Sequence, residues 1–205
     1  MDMKLFLFDC DGVLVDSLNI FEGTVRACLD AIGQPILKSR SDFLDLFDDN
    51  FYTAIVAKGV DLQAFMRAAG PILARVDFSG MKPVEGMLPV VTALHRLHRL
   101  VIISSGGEKT IRGQLAHFGF NGIFDTILGS DFLLSKIDKI NHAVSAFHTN
   151  KDRTFYIGDT AGDIREAKSA GVKTVAVAWG WHSRERLAAA GPDYLVDKPS
   201  DLLGI

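Results

Sequence analysis

The sequence predicts an α/β fold, a parallel sheet with crossover helices that is interrupted early by a helical insertion. Short apolar runs at 5–8, 100–103, 126–128, 154–157, 174–178 and 194–196 alternate with helical patterns at 88–98, 108–118, 141–147, 161–170 and 183–190, the rhythm of strands joined by crossover helices. Between Asp16 and about Lys82 that rhythm breaks, and helical patterns follow one another without a strand between them. With 205 residues, 48% of them apolar, the chain can bury one substantial core and carry a small accessory unit. The expected division is a core of residues 1–15 and 83–205 with a helical domain of residues 16–82.

Taken in order, the first strand runs into Asp9-Cys10-Asp11-Gly12. Two carboxylates two residues apart at a strand end face the same way. One such carboxylate can attack phosphorus while the other moves protons for the departing and attacking oxygens. Alone, the motif is also an ordinary Asp-Gly turn. The insertion follows, with natural connections at Asp16-Ser17 and Ser79-Gly80. Within it Phe43, Leu44, Leu46 and Phe47 fall on one side of a helix and Asp42, Asp45, Asp48 and Asp49 mainly on the other, which reads as a solvated face rather than a metal site.

The strand at 100–103 ends in Ser104-Ser105-Gly106-Gly107, immediately before a helix. Hydroxyl and backbone donors are thereby placed where an anion can bind, although Ser and Gly also serve as plain caps and turns. Ser135-Lys136-Ile137-Asp138-Lys139 offers a cation just before the next helix, and the strand at 154–157 leads into Gly158-Asp159-Thr160-Ala161-Gly162-Asp163. Carboxylates gathered from two strand ends repel one another and need a cation. Oxygen ligands with a phosphate in reach suit Mg2+, and a phosphate dianion calls for further positive charge, which raises the weight of Lys136.

Several classes are disfavoured. A formal charge of −3 and a pI near 6.0 lack the basic excess of a nucleic-acid binder. No apolar stretch approaches the ~18 residues of a membrane span, and Met1-Asp2-Met3-Lys4 shows no secretion-signal pattern. Two cysteines make no disulfide framework. A cysteine phosphatase needs an arginine six positions after its nucleophile, where Cys10 has Asp16 and Cys28 has Gln34, so both cysteines are expected to pack. Neither a Walker-type nor a dinucleotide glycine motif is present, and the six histidines show no metal spacing. Trp179-Gly180-Trp181 is expected to pack a loop or the rim, and His182, like the other histidines, to be structural or exposed. The expected setting is a reducing cytoplasm, with a small-molecule phosphate ester as partner, no nucleic acid, no membrane, and a monomer or weak homodimer.

The order of these features resembles the haloacid dehalogenase-like (HAD) superfamily over nearly the whole chain. Its first motif matches Asp9-Cys10-Asp11-Gly12-Val13-Leu14-Val15-Asp16-Ser17, its second Ile103-Ser104-Ser105, and its fourth Gly158-Asp159-Thr160-Ala161-Gly162-Asp163. The resemblance implies a doubly wound, Rossmannoid parallel sheet with the first-motif strand between those carrying the second and fourth, and a helical cap that opens and closes over the site. It implies Asp9 as nucleophile and Asp11 as general acid/base, with Ser104, Ser105, Gly106 and Lys136 on the phosphoryl group. Mg2+ would be held by Asp9, the main-chain carbonyl of Asp11 and Asp159, with Asp163 ligating or ordering bound water. The lysine motif departs from the common Lys-Pro pattern, since Lys136 is followed by Ile137, and Lys136 is favoured over Lys139.

Dehalogenases of this superfamily do not need the second aspartate or the magnesium cluster, whereas phosphoryl-transfer members use both, and this chain has both. The expected activity is hydrolysis of a small phosphomonoester through an aspartyl phosphate. The segment 158–181 and the tail around Gly191-Pro192-Asp193-Tyr194 look most like phosphoglycolate phosphatase-type relatives, which makes phosphoglycolate the leading substrate. Lys38, Arg40, Lys58, Arg67 and Arg75 are cations of the insertion that could meet a substrate carboxylate, each more readily read as surface charge. A mutase resembling β-phosphoglucomutase is the alternative, and a dehalogenase or a non-catalytic regulatory protein stands behind it.

Overall fold

In the computed structural model, which describes residues 3–205, each apolar run of the sequence is a strand. Met1 and Asp2, the start of the expected first core segment, lie outside the described residues. The strands are β1 (Leu5–Phe8), β2 (Val15–Asp16), β3 (Lys82–Pro83), β4 (Arg99–Ile103), β5 (Thr126–Leu128), β6 (Thr154–Gly158), β7 (Lys173–Val177) and β8 (Tyr194–Val196). The helices are α1 (Leu18–Ala31), α2 (Arg40–Leu44), α3 (Phe51–Ala57), α4 (Leu62–Leu73), α5 (Met87–His95), α6 (Glu108–His117), α7 (Lys136–Ala146), α8 (Ala161–Ala170) and α9 (Arg184–Ala189).

Six strands form one parallel sheet in the order β5-β4-β1-β6-β7-β8. The first-motif strand therefore lies between those of the second and fourth motifs, as the resemblance implied. Leu7 sits beside Val101 on one flank and Tyr156 on the other, so the carboxyl ends of β1, β4 and β6 open side by side, where ligands of such sheets bind. Both faces are covered, which is why the strands are continuous apolar runs and not alternating ones. Phe6 and Phe8 pack with Val91 and Leu94 of α5 and Ile111 of α6, while Leu5 and Leu7 pack with Ile140 of α7 and Ala167 of α8. Successive residues of one strand thus enter opposite layers, the doubly wound arrangement.

Between β2 and β3 the chain builds α1 to α4 around a core of its own, with Val25, Phe43, Leu46, Phe51, Ile55 and Phe65 at its centre. Asn50 caps α3 by accepting from the N–H groups of Tyr52 and Thr53, and Asp61 caps α4 by accepting from Ala64. At the base of the insert β2 pairs antiparallel with β3, Val15 opposite Pro83. This two-residue ribbon was absent from the sequence reading, because two residues are too few for a period-2 signal.

Two expectations are corrected. The helix placed at 141–147 starts five residues earlier, at Lys136, because the Ser135 hydroxyl accepts from the N–H of Asp138 and caps it. Lys136, Lys139, Ile140 and Ala143 make its buried stripe, a helical spacing that two lysines disguise as surface. The Phe43/Asp45 segment is α2 followed by a 3-10 turn at Asp45–Asp48 in place of one helix. Its sides are divided as expected, with Phe43, Leu46 and Phe47 buried and Asp45 and Asp49 exposed. Among the described residues no helix is long and apolar enough to cross a membrane.

Candidate active site

Asp9 leaves the end of β1 with its N–H bonded to the carbonyl of Ile157, 2.9 Å away. The turn that follows needs glycine at position 12, where φ is +77° and a Cβ would lie 2.0 Å from Oδ2 of Asp159. The first and fourth motifs are thereby in direct backbone-to-carboxylate contact. Asp9, Asp159 and Asp163 each bring a carboxylate oxygen within 4.8 Å of the others, and all three are buried.

One cation answers these charges. Lys136 Nζ donates to Asp9 Oδ2 at 2.8 Å and to Asp163 Oδ1 at 2.6 Å, with its side chain only 9% exposed. Asp163 is fully engaged, since it also accepts from the Tyr156 hydroxyl at 3.1 Å and from the N–H and hydroxyl of Thr160. Against the cost of burial, Lys136 and these hydrogen bonds hold Asp163 below the usual carboxylate range. Asp159 differs. Its Oδ2 accepts from the Trp181 N–H at 2.7 Å, but Oδ1 is buried without a partner, and burial, with the charges of Asp163 and Asp9, pushes its carboxyl well up. Burial likewise raises Asp9 to about 7 in spite of Lys136, and raises Asp11 above the ordinary range against the pull of Ser17 and Lys136.

Lys139 is fully buried but turned elsewhere, donating to the carbonyl of Ser104 at 2.6 Å. Burial and the neighbouring Lys136 lower it to about 8. It steadies the end of β4, and Lys136 is the lysine on the acidic cluster. Ser104 is buried, with its hydroxyl accepting from the N–H of Gly106 at 3.0 Å. Ser104 and Ser105 line the same charged pocket as Asp9, Asp11, Lys136, Asp159 and Asp163, whereas Gly106 lines the adjoining apolar one. The Asp11 carboxylate stands outside the group of three oxygens.

The helical insert closes over this end of the sheet. Tyr52 Oη donates to the carbonyl of Ser105 at 2.8 Å, and Asn50 Nδ2 to Glu166 Oε1 at 3.1 Å. His182 spans the junction, accepting at Nδ1 from the N–H of Ala161 at 3.0 Å and donating from Nε2 to the carbonyl of Leu44 at 3.0 Å. Arg186 pairs with Asp45 and Asp48, and Arg165 reaches the carbonyl of Asp48. Gly162 fits under the carbonyls of Asp49 and Phe47, which a Cβ would meet at 2.6 and 2.8 Å. Trp181 comes from the core, yet its ring packs among Phe21, Phe43 and Phe47 of the insert. Trp179 donates from Nε1 to the carbonyl of Val13, and Cys10 and Cys28 are buried in the core and insert clusters.

Glu166, Tyr156, Tyr52 and His182 were not singled out as site residues by sequence reasoning. Glu166 had one usable signal, its position three residues after Asp163 on the same helix face; it accepts from the N–H of Lys136 at 3.1 Å. The other three act through contacts made only in three dimensions.

A doubly wound sheet with paired aspartates at one strand end, an aspartate cluster at its neighbour's end and a buried lysine between them defines a phosphoryl-transfer hydrolase with a helical insert. Residues 6–177 match the model of the haloacid dehalogenase-like hydrolase family, and the chain belongs to that family. It is 29% identical to a phosphoglycolate phosphatase of Synechococcus elongatus over 98% of this chain and 96% of the relative. It is 28% identical to the pyrophosphatase PpaX of Listeria innocua over 97% and 94%. A crystal structure described as a predicted phosphatase from Clostridium acetobutylicum superposes with a TM-score of 0.84 over 98% of this chain and 97% of that one, at 23% identity. The chain is a HAD-family phosphatase.

Proposed function

We propose that the chain hydrolyses a small phosphomonoester with Mg2+ as cofactor, through an aspartyl phosphate on Asp9, and that residues 16–82 act as its cap. The observation that carries this reading is the pairing of Lys136 with Asp9 and Asp163 beside the unpartnered Oδ1 of Asp159. A buried carboxylate oxygen without a donor is costly, and three buried carboxylates, when ionised, outnumber the one lysine beside them. That donor set fits a magnesium ion held by Asp9, Asp159 and the main-chain carbonyl of Asp11, with Asp163 keeping Lys136 in place. When bound, the ion neutralises charge on the phosphoryl oxygens.

The protein's own residues do the remaining work. An Asp9 oxygen attacks phosphorus as the ester P–O bond breaks, and Asp11, whose burial favours its protonated form, passes a proton to the departing alkoxide. Water then attacks the aspartyl phosphate, Asp11 takes its proton, and the Asp9 carboxylate is released with inorganic phosphate. Lys136 and Ser104 hold the phosphoryl oxygens through both displacements. The charged pocket, about 30 Å³ in the closed arrangement, holds about two waters, so substrate enters when the insert lifts. A mutase has to hold a second phosphate group, and of the insert's cations Lys38, Arg40, Lys58, Arg67, Arg75 and Lys82 are exposed and the half-buried Arg26 pairs with Glu22, all of them outside the cleft, which favours hydrolysis.

Phosphate release from a panel of esters, with and without Mg2+, tests the reading, with Asp9→Asn as control. The expected result is Mg2+-dependent release that falls by ~10⁴-fold or more in Asp9→Asn. Release that survives that substitution rules out Asp9 as nucleophile.

A further inference from the structure

Beside the charged pocket lies a second cavity of about 120 Å³ that shares Asp11, Phe21, Phe51 and Ser105 with it. It extends between α1 and α4 of the insert and the start of α6, walled by Ile20, Val25, Phe65, Ala69, Phe78 and Ile111 among others. Because it adjoins Asp11, the proton donor for the departing oxygen, it is where the alcohol part of a substrate comes to lie. We propose that the leaving group is a neutral alcohol with an apolar body of about benzene's size, so that the substrate class is alkyl or aryl phosphomonoesters and not phosphorylated acids such as phosphoglycolate. This rests on the phosphatase reading above.

The charge inventory of the cavity carries the inference. Its lining contains no lysine, arginine or histidine, and its one carboxyl group is Asp11. A substrate carboxylate would be desolvated there with no cation in the lining to meet it. Three of its neutral polar side chains are already engaged. Thr24 Oγ1 donates to the carbonyl of Ile20 at 2.8 Å, Tyr52 Oη to that of Ser105, and the Gln114 amide lies 3.4 Å from the Met81 sulfur. At the start of α6 two of the N–H groups are already engaged, that of Gly106 with the Ser104 hydroxyl and that of Glu108 with Asp131, each at 3.0 Å, and the first turn carries the acidic Glu108. An apolar body meets no such penalty. Its size follows from the volume, since a dry cavity of 150 Å³ accepts benzene. Leu73, Phe78, Thr110 and Gln114 also line an open surface groove, which gives the cavity a mouth to solvent.

Hydrolysis of methyl, ethyl, propyl, butyl and hexyl phosphate, whose alcohols leave with nearly equal intrinsic difficulty, is compared with that of phosphoglycolate in the presence of Mg2+. The expected result is a rise in kcat/KM of about fourfold per methylene until the cavity is full, with phosphoglycolate below propyl phosphate. Ala69→Leu, which reduces the space, is expected to move the break in the series to a shorter chain. Met66→Lys, at a half-exposed lining position, is expected to raise phosphoglycolate turnover relative to butyl phosphate at least tenfold. Release that is flat across the alkyl series, or fastest on phosphoglycolate, overturns the inference and leaves the phosphatase reading intact. No Mg2+-dependent release from any ester overturns both.

Discussion

At one end of the cleft Asp9, Lys136, Asp159 and Asp163 project from the carboxyl ends of the strands and the helices behind them, Asp9, Lys136 and Asp163 joined by buried ion pairs and Asp159 held by the Trp181 N–H. At the other end Ile20, Val25, Phe65 and Ala69 project from α1 and α4 of the insert and are held by packing alone. In the proposed reaction the first end treats every substrate alike, because a phosphoryl group is the same in all of them, and it is built on the sheet. The second, in the proposed reaction, meets the part that varies, and it is built on the insert, which meets the core through hydrogen bonds, ion pairs and the Trp181 ring. The contrast shows how one sheet can keep its chemistry constant while selectivity changes by repacking helices that never touch phosphorus.

The strongest test of this division is Lys136→Met, which leaves the acidic cluster without its cation. Breaking a buried pair costs about 3–5 kcal/mol, so urea denaturation of the metal-free variant is expected to show a loss of that size. Turnover of every ester should fall together by ~10²–10³-fold. A loss that depends on the leaving group would place Lys136 at the wrong end of the cleft.

The junction between the layers is expected to respond less. Arg186 meets Asp45 and Asp48 with side chains 28%, 49% and 42% exposed, a geometry worth up to about 1 kcal/mol. Arg186→Ala is therefore expected to increase the open population about fivefold, seen in a Trp179→Phe background as greater acrylamide quenching of Trp181 with little change in melting temperature. Unchanged quenching would mean that the closed position does not depend on this cluster.

The smallest effect lies at an ion-paired position of α1 that lines neither pocket. Glu22 is buried, yet hydrogen bonds and charge from Arg26 and Arg40 outweigh its desolvation and lower its pKa. A carboxyl lowered in the folded state contributes stability above its unfolded value near 4.5, and that contribution disappears as pH falls through the lower folded value. Stability of the wild type measured from pH 6 to pH 3 should therefore fall more steeply than that of Glu22→Gln, while phosphoryl chemistry at pH 7 is the same in both.

Legibility in the sequence follows the same division. Asp9, Asp11, Ser104, Asp159 and Asp163 could be named because each stands where an apolar strand run ends, and the strand order makes those ends neighbours. Lys136 was harder, since a lysine followed by polar residues looks exposed until Ser135 is seen to start a helix there. Glu166 hid as one acidic residue on an otherwise ordinary helix. Tyr52 hid altogether and His182 was read only as a packing residue, because their partners are backbone carbonyls, of Ser105 and Leu44, that no residue type announces. The apolar end was invisible for another reason: Val25, Phe65 and Ala69 satisfy the same helical periodicity whether they fill a core or leave a gap in it, and only packing distinguishes the two.

In the proposed opening and closing of the insert, Gly162 sets how far it descends. Because the carbonyls of Phe47 and Asp49 come to rest on the bare backbone of α8, closure ends against a stop fixed by atomic radii, and no side-chain rotamer can adjust it. A ligand is then gauged as if between caliper jaws: one that fits lets the jaws reach the stop, and one slightly too long holds them apart by its own excess, leaving the acidic cluster wet. Adding a single methyl at residue 162 moves the stop itself, so the whole range of accepted lengths would shift without any change to a residue that touches the ligand.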